Sequence, residues 1–349
     1  MSHRTHLALT KAPTLCLAKA LLAIAAVPAA ACPSPPPAPV TLDLPGYYTD
    51  TAKARPDPER EAALRAATHE TTRFLRVVTT NADLSRQSPS PRTQRIAARC
   101  ATKWLLAWAE GRAYTGSMGS SQAEYQRKWD LAGMALATLK LRPHLTDDEF
   151  GTLSAWLHRL AEQVVAFQFA PGRTFNNHAY WAALAIAATA HLTHDDALWS
   201  RARDIFERAA AGIAADGSLV AELERGERAL HYHAFSAMAL VTLAELAAAR
   251  GEDWYATADG ALHRLVARTA AGVAEPEQFD RLAGTRQQRP VDARAGWAIL
   301  YRARFPDRAA GPISVARGHR WLGGDVLVLR AALDTDLSRA PEAQSDVRK

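Results

Sequence analysis

The chain has 349 residues, of which 48% are hydrophobic and 22% charged, and its formal net charge is +6. It has no dense basic run or RNA-binding motif, so nucleic-acid binding is not expected. It also lacks CxxC and HExxH patterns, and we therefore expect no metal and no other cofactor.

Residues 1–31 have the features of an export signal. Arg4, Lys11 and Lys19 give a basic start, an apolar run follows, and Ala29–Ala31 supply the small residues of a cleavage site. The apolar run is too short to span a bilayer, which takes about 20 residues. We therefore expect export to the periplasm. Removal of the signal deletes three positive charges and leaves a net charge of +3 (6 − 3).

Cys32 follows the signal directly and opens a proline-rich stretch, 32–44, which predicts an extended linker. Two outcomes are open for Cys32. Lipidation would make the protein an outer-membrane-anchored lipoprotein, whereas ordinary cleavage would leave an incidental thiol. Outside the signal, Cys100 has no disulfide partner except an unlipidated Cys32, so we interpret it as a small buried apolar residue.

Helical patterns dominate the rest of the chain. Apolar residues at three- and four-residue spacing predict helices over 57–81, 94–109, 122–141, 146–169, 178–192, 195–214, 226–249, 254–270 and 291–305. The apolar run in 321–329 is consistent with a short strand. We expect one all-α domain over 45–335, made of antiparallel helical hairpins, and a disordered polar tail over 336–349. A bundle, a solenoid and an α/α toroid all fit this pattern.

A first cluster of amides, imidazole and aromatics, Asn176–Trp181, lies where a turn meets a helix. Asn176 or Asn177 is suited to cap that helix. His178 would lie in the first turn, where the helix dipole disfavours an imidazolium. A neutral imidazole beside a bound carboxylate can remove a proton near neutral pH. The alternative for His178 is a surface histidine at a helix start.

A second cluster begins at Arg228, 50 positions after His178. Arg228, Tyr232 and Phe235 fall at i, i+4 and i+7 and therefore share one helix face. Arg228 could form a forked contact with a carboxylate, or it could pair with Glu224 on the same face. We interpret His231 and the neighbouring His233 as structural residues that point elsewhere.

The order of these motifs resembles the alginate lyases of polysaccharide lyase family 5. The resemblance rests on Asn176–Trp181, on Asp216–Leu223 and on Arg228–His233. Weaker matches flank them, so that the resemblance extends from about residue 45 to residue 330: Tyr48 with Lys53–Arg55, Cys100–Ala109, Arg127–Trp129 and Leu322–Asp325.

The resemblance implies an incomplete α/α toroid with a cleft along one face, and β-elimination on a uronic-acid polymer, typically mannuronate-rich alginate. Asn177 and Arg228 would neutralise the substrate carboxylate, His178 would be a base or neutraliser, and Tyr232 completes the predicted catalytic set. We assign substrate binding to Tyr48, Lys53, Arg127, Trp129, Tyr180, Trp181, Phe235 and Arg320. We expect a monomer whose partner is an anionic polysaccharide.

Three positions depart from the family. Phe235 stands where the family has its proton-donating tyrosine, and Tyr47 replaces a lysine before the matched tyrosine. Trp321 replaces an arginine before Leu-Gly-Gly, with Arg320 shifted by one position. Phenylalanine cannot donate a proton, and losing one acid or base group costs about 10²–10⁴ in rate.

Three functions therefore remain open. In an active polyuronate lyase, Tyr232, Tyr180, Tyr47 or a water would supply the proton. A catalytically impaired relative would bind polyuronate in the periplasm. An α/α-toroid glycoside hydrolase would need two facing carboxylates, for which the nearby candidates are Asp216, Glu222 and Glu224.

Overall fold

The structure, a computed structural model, describes residues 32–288, 296–308 and 317–337. The predicted signal over 1–31, residues 291–295 of the last predicted long helix, and the tail beyond residue 337 lie outside the described residues.

Most of the predicted helices are present with shifted ends. The predicted helix over 57–81 is divided at Thr68 into α1 and α2. In chain order the helices are α1 (Pro58–Ala67), α2 (His69–Gln87), α3 (Pro91–Glu110), α4 (Ser121–Leu141), α5 (Asp147–Gln168), α6 (Asn177–Thr193), α7 (Asp196–Ala211), α8 (Val220–Leu223), α9 (Ala229–Ala248), α10 (Thr257–Ala274), α11 (Glu277–Ala283), α12 (Gly296–Arg304) and α13 (Val326–Leu337).

The helices form an incomplete α/α toroid, as predicted. Helices α2, α4, α6, α9 and α12 pack in that order as an inner layer. Each of them pairs with the helix that follows it in the chain, and these partners form the outer layer: α3, α5, α7, α10 and α13. Helices α4, α6 and α9 are buried on nearly every face, which explains the mostly apolar sequences of α6 and α9. Because inner and outer helices alternate in antiparallel hairpins, the amino-terminal ends of α4, α6 and α9 meet at one end of the toroid.

Capping residues fix the starts of helices α5 and α6. The Asn176 side chain accepts a hydrogen bond from the backbone N–H of His178 at 3.0 Å and begins α6. Thr146 and Glu149 form a reciprocal capping box that begins α5. The cap at Asn176 is one of the two alternatives that the sequence predicted.

The predicted strand over 321–329 is wrong. Only the two-residue strands β1 (Gly318–His319) and β2 (Gly324–Asp325) form there, and helix α13 begins at Val326. Gly324 has a φ of +101°, and a Cβ on it would lie 2.3 Å from Oδ2 of Asp83. This tight turn redirects the chain, so that the apolar run is buried as a helix against α4 and α12.

The proline-rich stretch is extended, as predicted, but it is packed against the domain rather than free. Indole N–H groups of two fully buried tryptophans donate to its carbonyls, Trp104 to Pro33 at 2.8 Å and Trp108 to Pro36 at 3.0 Å. The stretch therefore covers α3 and leads the chain to the end of the toroid where α4, α6 and α9 begin.

Cys32 and Cys100 form a disulfide, with their Cα atoms 5.5 Å apart. Cys100 is buried, as interpreted from the sequence, but it is not a thiol: the docked proline-rich stretch brings Cys32 alongside α3, which is the disulfide that the sequence left open. A sulfur in a disulfide cannot also carry a lipid thioether.

Among the described helices, none has the length and apolar character needed to cross a membrane.

Candidate functional site

A cleft of about 820 Å³ lies at the amino-terminal ends of α4, α6 and α9. The segment 46–53 covers it on one side, and the pair Arg320 and Trp321 borders it on another. The helix starts that meet here direct the positive ends of their dipoles toward the cleft, which favours an anionic occupant.

Glu222 fixes the position of Asn177 at the start of α6. The Glu222 carboxylate is fully buried and accepts from the Asn177 backbone N–H at 2.6 Å and from its Nδ2 at 3.0 and 3.1 Å. Arg225 donates to the same carboxylate at 3.4 Å. The Asn177 amide nitrogen is thus bound to Glu222, so in this structure it is not free to neutralise a substrate carboxylate as the resemblance implied.

His178 lines the cleft with a neutral imidazole. Its ring stacks on Tyr125 with centroids 3.7 Å apart, and the fully buried Lys128 donates to its carbonyl oxygen at 2.9 Å. Burial, together with the charges of Lys128 and Arg225, lowers the pKa of His178 well below 6.5. Among the described residues, Nδ1 of His178 has no hydrogen-bond partner. The ring is therefore held in the form that a general base requires.

Arg228 is buried beside the cleft, at the junction with the covering segment. Its Nη1 donates to the Tyr48 hydroxyl at 2.6 Å, and its Nη2 lies 2.9 Å from Nε2 of His231. The guanidinium of Arg228 therefore does not form the alternative ion pair with Glu224. The forked contact exists, but its partners are Tyr48 and His231 rather than a carboxylate.

Three phenols are linked beside Arg228. Tyr47 donates to Tyr48 at 3.0 Å, and the hydroxyls of Tyr48 and Tyr232 lie 2.6 Å apart. Burial is the main cause that raises the pKa of Tyr232 to about 12, and burial raises the pKa of Tyr48 as well. Tyr48 and Tyr232 therefore keep their protons at neutral pH, as a proton donor must.

Phe235 lies within a group of aromatic rings at the side of the cleft. Its ring centroid is 4.8 Å from that of Trp181 and 5.9 Å from that of Trp129, and Trp129 stacks on Trp321 at 4.7 Å. Phe235, Trp129 and Trp321 line the cleft. This wall is suited to stack against the apolar face of a sugar ring.

Three residues assigned to substrate binding do not line the cleft. Arg127 is buried against Glu124 and Gln163, with Nη1 3.0 Å from Oε1 of Gln163. Tyr180 packs edge-on against the ring of Phe175 and is 3% exposed.

The third is Trp181, which is fully buried and donates to the carbonyl of Phe235 at 3.1 Å. In this structure the three side chains do not line the cleft, because inner-helix side chains one or two turns below it face the core. The other predicted binding residues do line the cleft: Tyr48, Lys53, Trp129, Phe235 and Arg320.

The two histidines of the second cluster behave differently. His233 is structural, as predicted, since its Nε2 accepts from the Leu219 N–H at 2.9 Å and its Nδ1 lies 2.7 Å from the Ala229 carbonyl. His231, predicted to point elsewhere, instead lines the cleft beside Arg228. The error arises because the three residues before α9 form a 3₁₀ turn, so Arg228 does not follow the α-helical face.

Sequence reasoning missed four residues of the site. Tyr125 and Lys128 support His178 from α4. Glu222 in α8 binds Asn177, and Arg225, which follows α8, binds Glu222. Glu222 stands in the motif Asp216–Leu223 and Lys128 in the weaker match Arg127–Trp129, and these were the signals for their place here. The contact between Lys128 and His178 joins positions 50 apart, and nothing local indicates it.

The charge of the cleft suits an acidic ligand. Its acidic lining residues are Glu61 and Glu224, and its cationic lining residues are more numerous: Lys53, Arg65, Arg173, Arg225 and Arg320. Within the described part of the chain, no group of three His, Cys, Asp or Glu residues could hold a metal ion.

The three carboxylates considered for a glycoside hydrolase, Asp216, Glu222 and Glu224, do not form a facing pair in the cleft. Glu222 is fully buried behind Asn177, and Asp216 lies outside the cleft with its Oδ1 accepting from the Ser218 hydroxyl at 2.7 Å. Of the three, this leaves Glu224 alone to face the cleft. The toroid and its cationic cleft accordingly define the class of a polysaccharide lyase.

Comparison of this chain with known proteins identifies a family within this class. The alginate lyase family profile matches residues 45–279. A polysaccharide lyase of Stenotrophomonas maltophilia is 37% identical over 306 residues, covering 86% of this chain and 91% of that one. An alginate lyase of Pseudomonas fluorescens is 31% identical over 311 residues, covering 83% and 82%.

Among solved structures, alginate lyase A1-III from Sphingomonas species A1 matches with a TM-score of 0.71 at 25% identity, covering 85% of each chain. The chain belongs to the alginate lyase family.

Proposed function

We propose that this lyase cleaves an acidic uronic-acid polymer by β-elimination, with mannuronate-rich alginate as the first candidate substrate. The observation that carries the proposal is the meeting, in one cationic cleft, of a neutral imidazole at His178 and a hydrogen-bonded set of phenols ending at Tyr232. The relatives named alginate lyase support the substrate class, and variants of alginate lyase A1-III share the fold and were solved in complex with a tetrasaccharide.

The proposed reaction begins at the C5–H bond beside the substrate carboxylate. Cations that line the cleft, among them Lys53 and Arg173, offset the charge of that carboxylate and make the C5 proton easier to remove. His178 takes the proton, and the electron pair of the C5–H bond becomes the C4–C5 double bond. The C4–O bond breaks, and the leaving oxygen receives a proton from a phenol.

The products distinguish this proposal from its alternatives. We expect digestion of mannuronate-rich alginate to give fragments that are lighter by one water than hydrolysis products of the same length, measured by mass spectrometry. Fragments with the mass of hydrolysis products would overturn the proposal. Polymer that is retained by the protein and never cut would favour the polyuronate-binding alternative.

We also propose that the protein is an exported periplasmic monomer that is not lipid-anchored. The signal features of residues 1–31 and the Cys32–Cys100 disulfide support this, since disulfides persist in oxidising compartments. Intact mass spectrometry of the mature protein should give a chain starting at Cys32 with one disulfide. An added acyl mass would contradict the proposal, and a dimer mass in light scattering would contradict the monomer.

A further inference from the structure

The hydrogen bonds among the three phenols have a defined direction. Tyr48 accepts from Nη1 of Arg228 at 2.6 Å and from the Tyr47 hydroxyl at 3.0 Å. With both lone pairs used, Tyr48 must donate its own proton, and the Tyr232 oxygen lies 2.6 Å away. The Tyr232 proton is then the one that these contacts leave unused, and Tyr232 lines the cleft.

We propose that Tyr47, Tyr48 and Tyr232 form a proton relay that supplies the leaving glycosidic oxygen, in place of the phenol that Phe235 lacks. This inference rests on the proposed function and deepens it. It changes the role of Tyr48 from a substrate-binding residue to a relay residue that returns a proton to Tyr232, and it makes Tyr47 the end of the relay nearer the solvent.

The proton movements balance. As the C4–O bond breaks, the Tyr232 O–H bond breaks and its proton joins the leaving oxygen. The Tyr232 phenolate then takes the proton of Tyr48, Tyr48 takes that of Tyr47, and Tyr47 is reprotonated by water. His178 releases the C5 proton to water, so the enzyme returns to its starting state with no other reagent.

The surrounding charges favour this direction of transfer. The guanidinium of Arg225 lies 4.8 Å from the centroid of the Tyr232 ring, and that of Arg228 lies 5.5 Å from it. Both cations stabilise the transient phenolate on Tyr232. Arg228 also donates directly to Tyr48, so it stabilises the negative charge at the second position of the relay.

The test removes one hydroxyl while keeping its ring. In Tyr48→Phe the aromatic ring that could contact a sugar would survive, but the relay would be broken between Tyr47 and Tyr232. We expect kcat on a polyuronate to fall by about tenfold or more, up to the roughly 10²–10⁴ that one acid or base group contributes, with KM changed by less than about threefold. Tyr47→Phe should cause a smaller fall, because Arg228 still holds Tyr48.

A substrate with a better leaving group gives an independent readout. A uronate that carries a nitrophenyl ether at C4 needs no protonation of the departing oxygen. Wild type and Tyr48→Phe should cleave it at equal rates, whereas a general disturbance of the cleft would slow both substrates. As a matched control, Tyr301→Phe removes a phenol that lies 2.7 Å from Nδ1 of His263, outside the cleft, and should leave kcat unchanged.

A rescue tests the link to Phe235. Tyr232→Phe should lose activity, and adding Phe235→Tyr in the same chain should restore part of it by returning a phenol to the family's position. Wild-type activity with an unimpaired kcat in Tyr48→Phe would overturn the relay alone. A wild type that eliminates no uronate at all would overturn the proposed function and the relay together.

Discussion

At the scale of single residues, His178 shows how neighbours select a protonation state. Burial and the nearby charges of Lys128 and Arg225 lower the pKa of His178, and the neutral form exists at every pH above that value. A base in this state stays active as the pH falls below 6.5 and loses activity only on reaching its lowered pKa.

We therefore expect the acid limb of the pH profile of kcat/KM to lie below pH 6.5, as measured by initial rates on a soluble polyuronate. His178→Ala should abolish elimination and leave the helical circular dichroism intact, because its ring packs at the cleft rather than in the core. An acid limb at or above pH 6.5, or more than about a tenth of the activity left in His178→Ala, would contradict the role of base.

A second prediction at this scale concerns the contacts of the Arg228 guanidinium. Its two Nη atoms engage Tyr48 and His231 at once, and an ammonium group cannot reproduce this planar fork. Arg228→Lys should therefore keep at best part of the activity, and Arg228→Ala less, with the loss mainly in kcat. Steady-state kinetics of the two variants measure this, and an Arg228→Lys enzyme as active as wild type would show that the fork is unnecessary.

At the scale of secondary-structure elements, the start of α6 places Asn177 and His178. Asn176→Ala removes the cap and should lower the free energy of unfolding by about 1 kcal/mol. Thr146→Ala removes the cap of α5, away from the cleft, and should have a similar cost. Urea unfolding of both variants, together with their rates, separates the effects.

Elimination should fall in Asn176→Ala and stay unchanged in Thr146→Ala. Equal activities at equal losses of stability would mean that the start of α6 does not position the catalytic residues.

The same elements show what sequence can and cannot predict. The caps at Asn176 and Thr146 were predictable because each depends on residues within one helical turn. The bond between Asn177 and Glu222 joins positions 45 apart, and nothing local indicates it. The strand predicted over 321–329 failed because the glycine turn before α13 depends on the close approach of Asp83, which only the packed fold provides.

At the scale of the whole molecule, the Cys32–Cys100 disulfide ties the start of the domain to α3. The resemblance predicted the toroid, but the docking of the proline-rich stretch could not be read from a composition typical of free linkers. The buried indoles of Trp104 and Trp108 need acceptors, and the carbonyls of this stretch supply them.

Reduction of this disulfide, whose cysteines are 68 positions apart, should destabilise the protein. We expect a loss of about 2–4 kcal/mol in the free energy of unfolding, measured by urea titration with and without a thiol reductant. A Cys32→Ser, Cys100→Ser variant serves as the control and should not respond to the reductant. An unchanged midpoint for the wild type on reduction would contradict a stabilising role.

The central claim is that the cationic cleft of this toroid carries out β-elimination on a uronic-acid polymer. Its most direct test is the ultraviolet absorbance of the unsaturated uronate product, followed over time with wild type and His178→Ala on a panel of mannuronan, glucuronan, hyaluronan and an uncharged glucan. Our account predicts a rise for wild type on at least one uronate polymer, with none on the glucan and none for His178→Ala. No rise on any uronate polymer with folded wild-type protein, or an equal rise with both proteins, would contradict it.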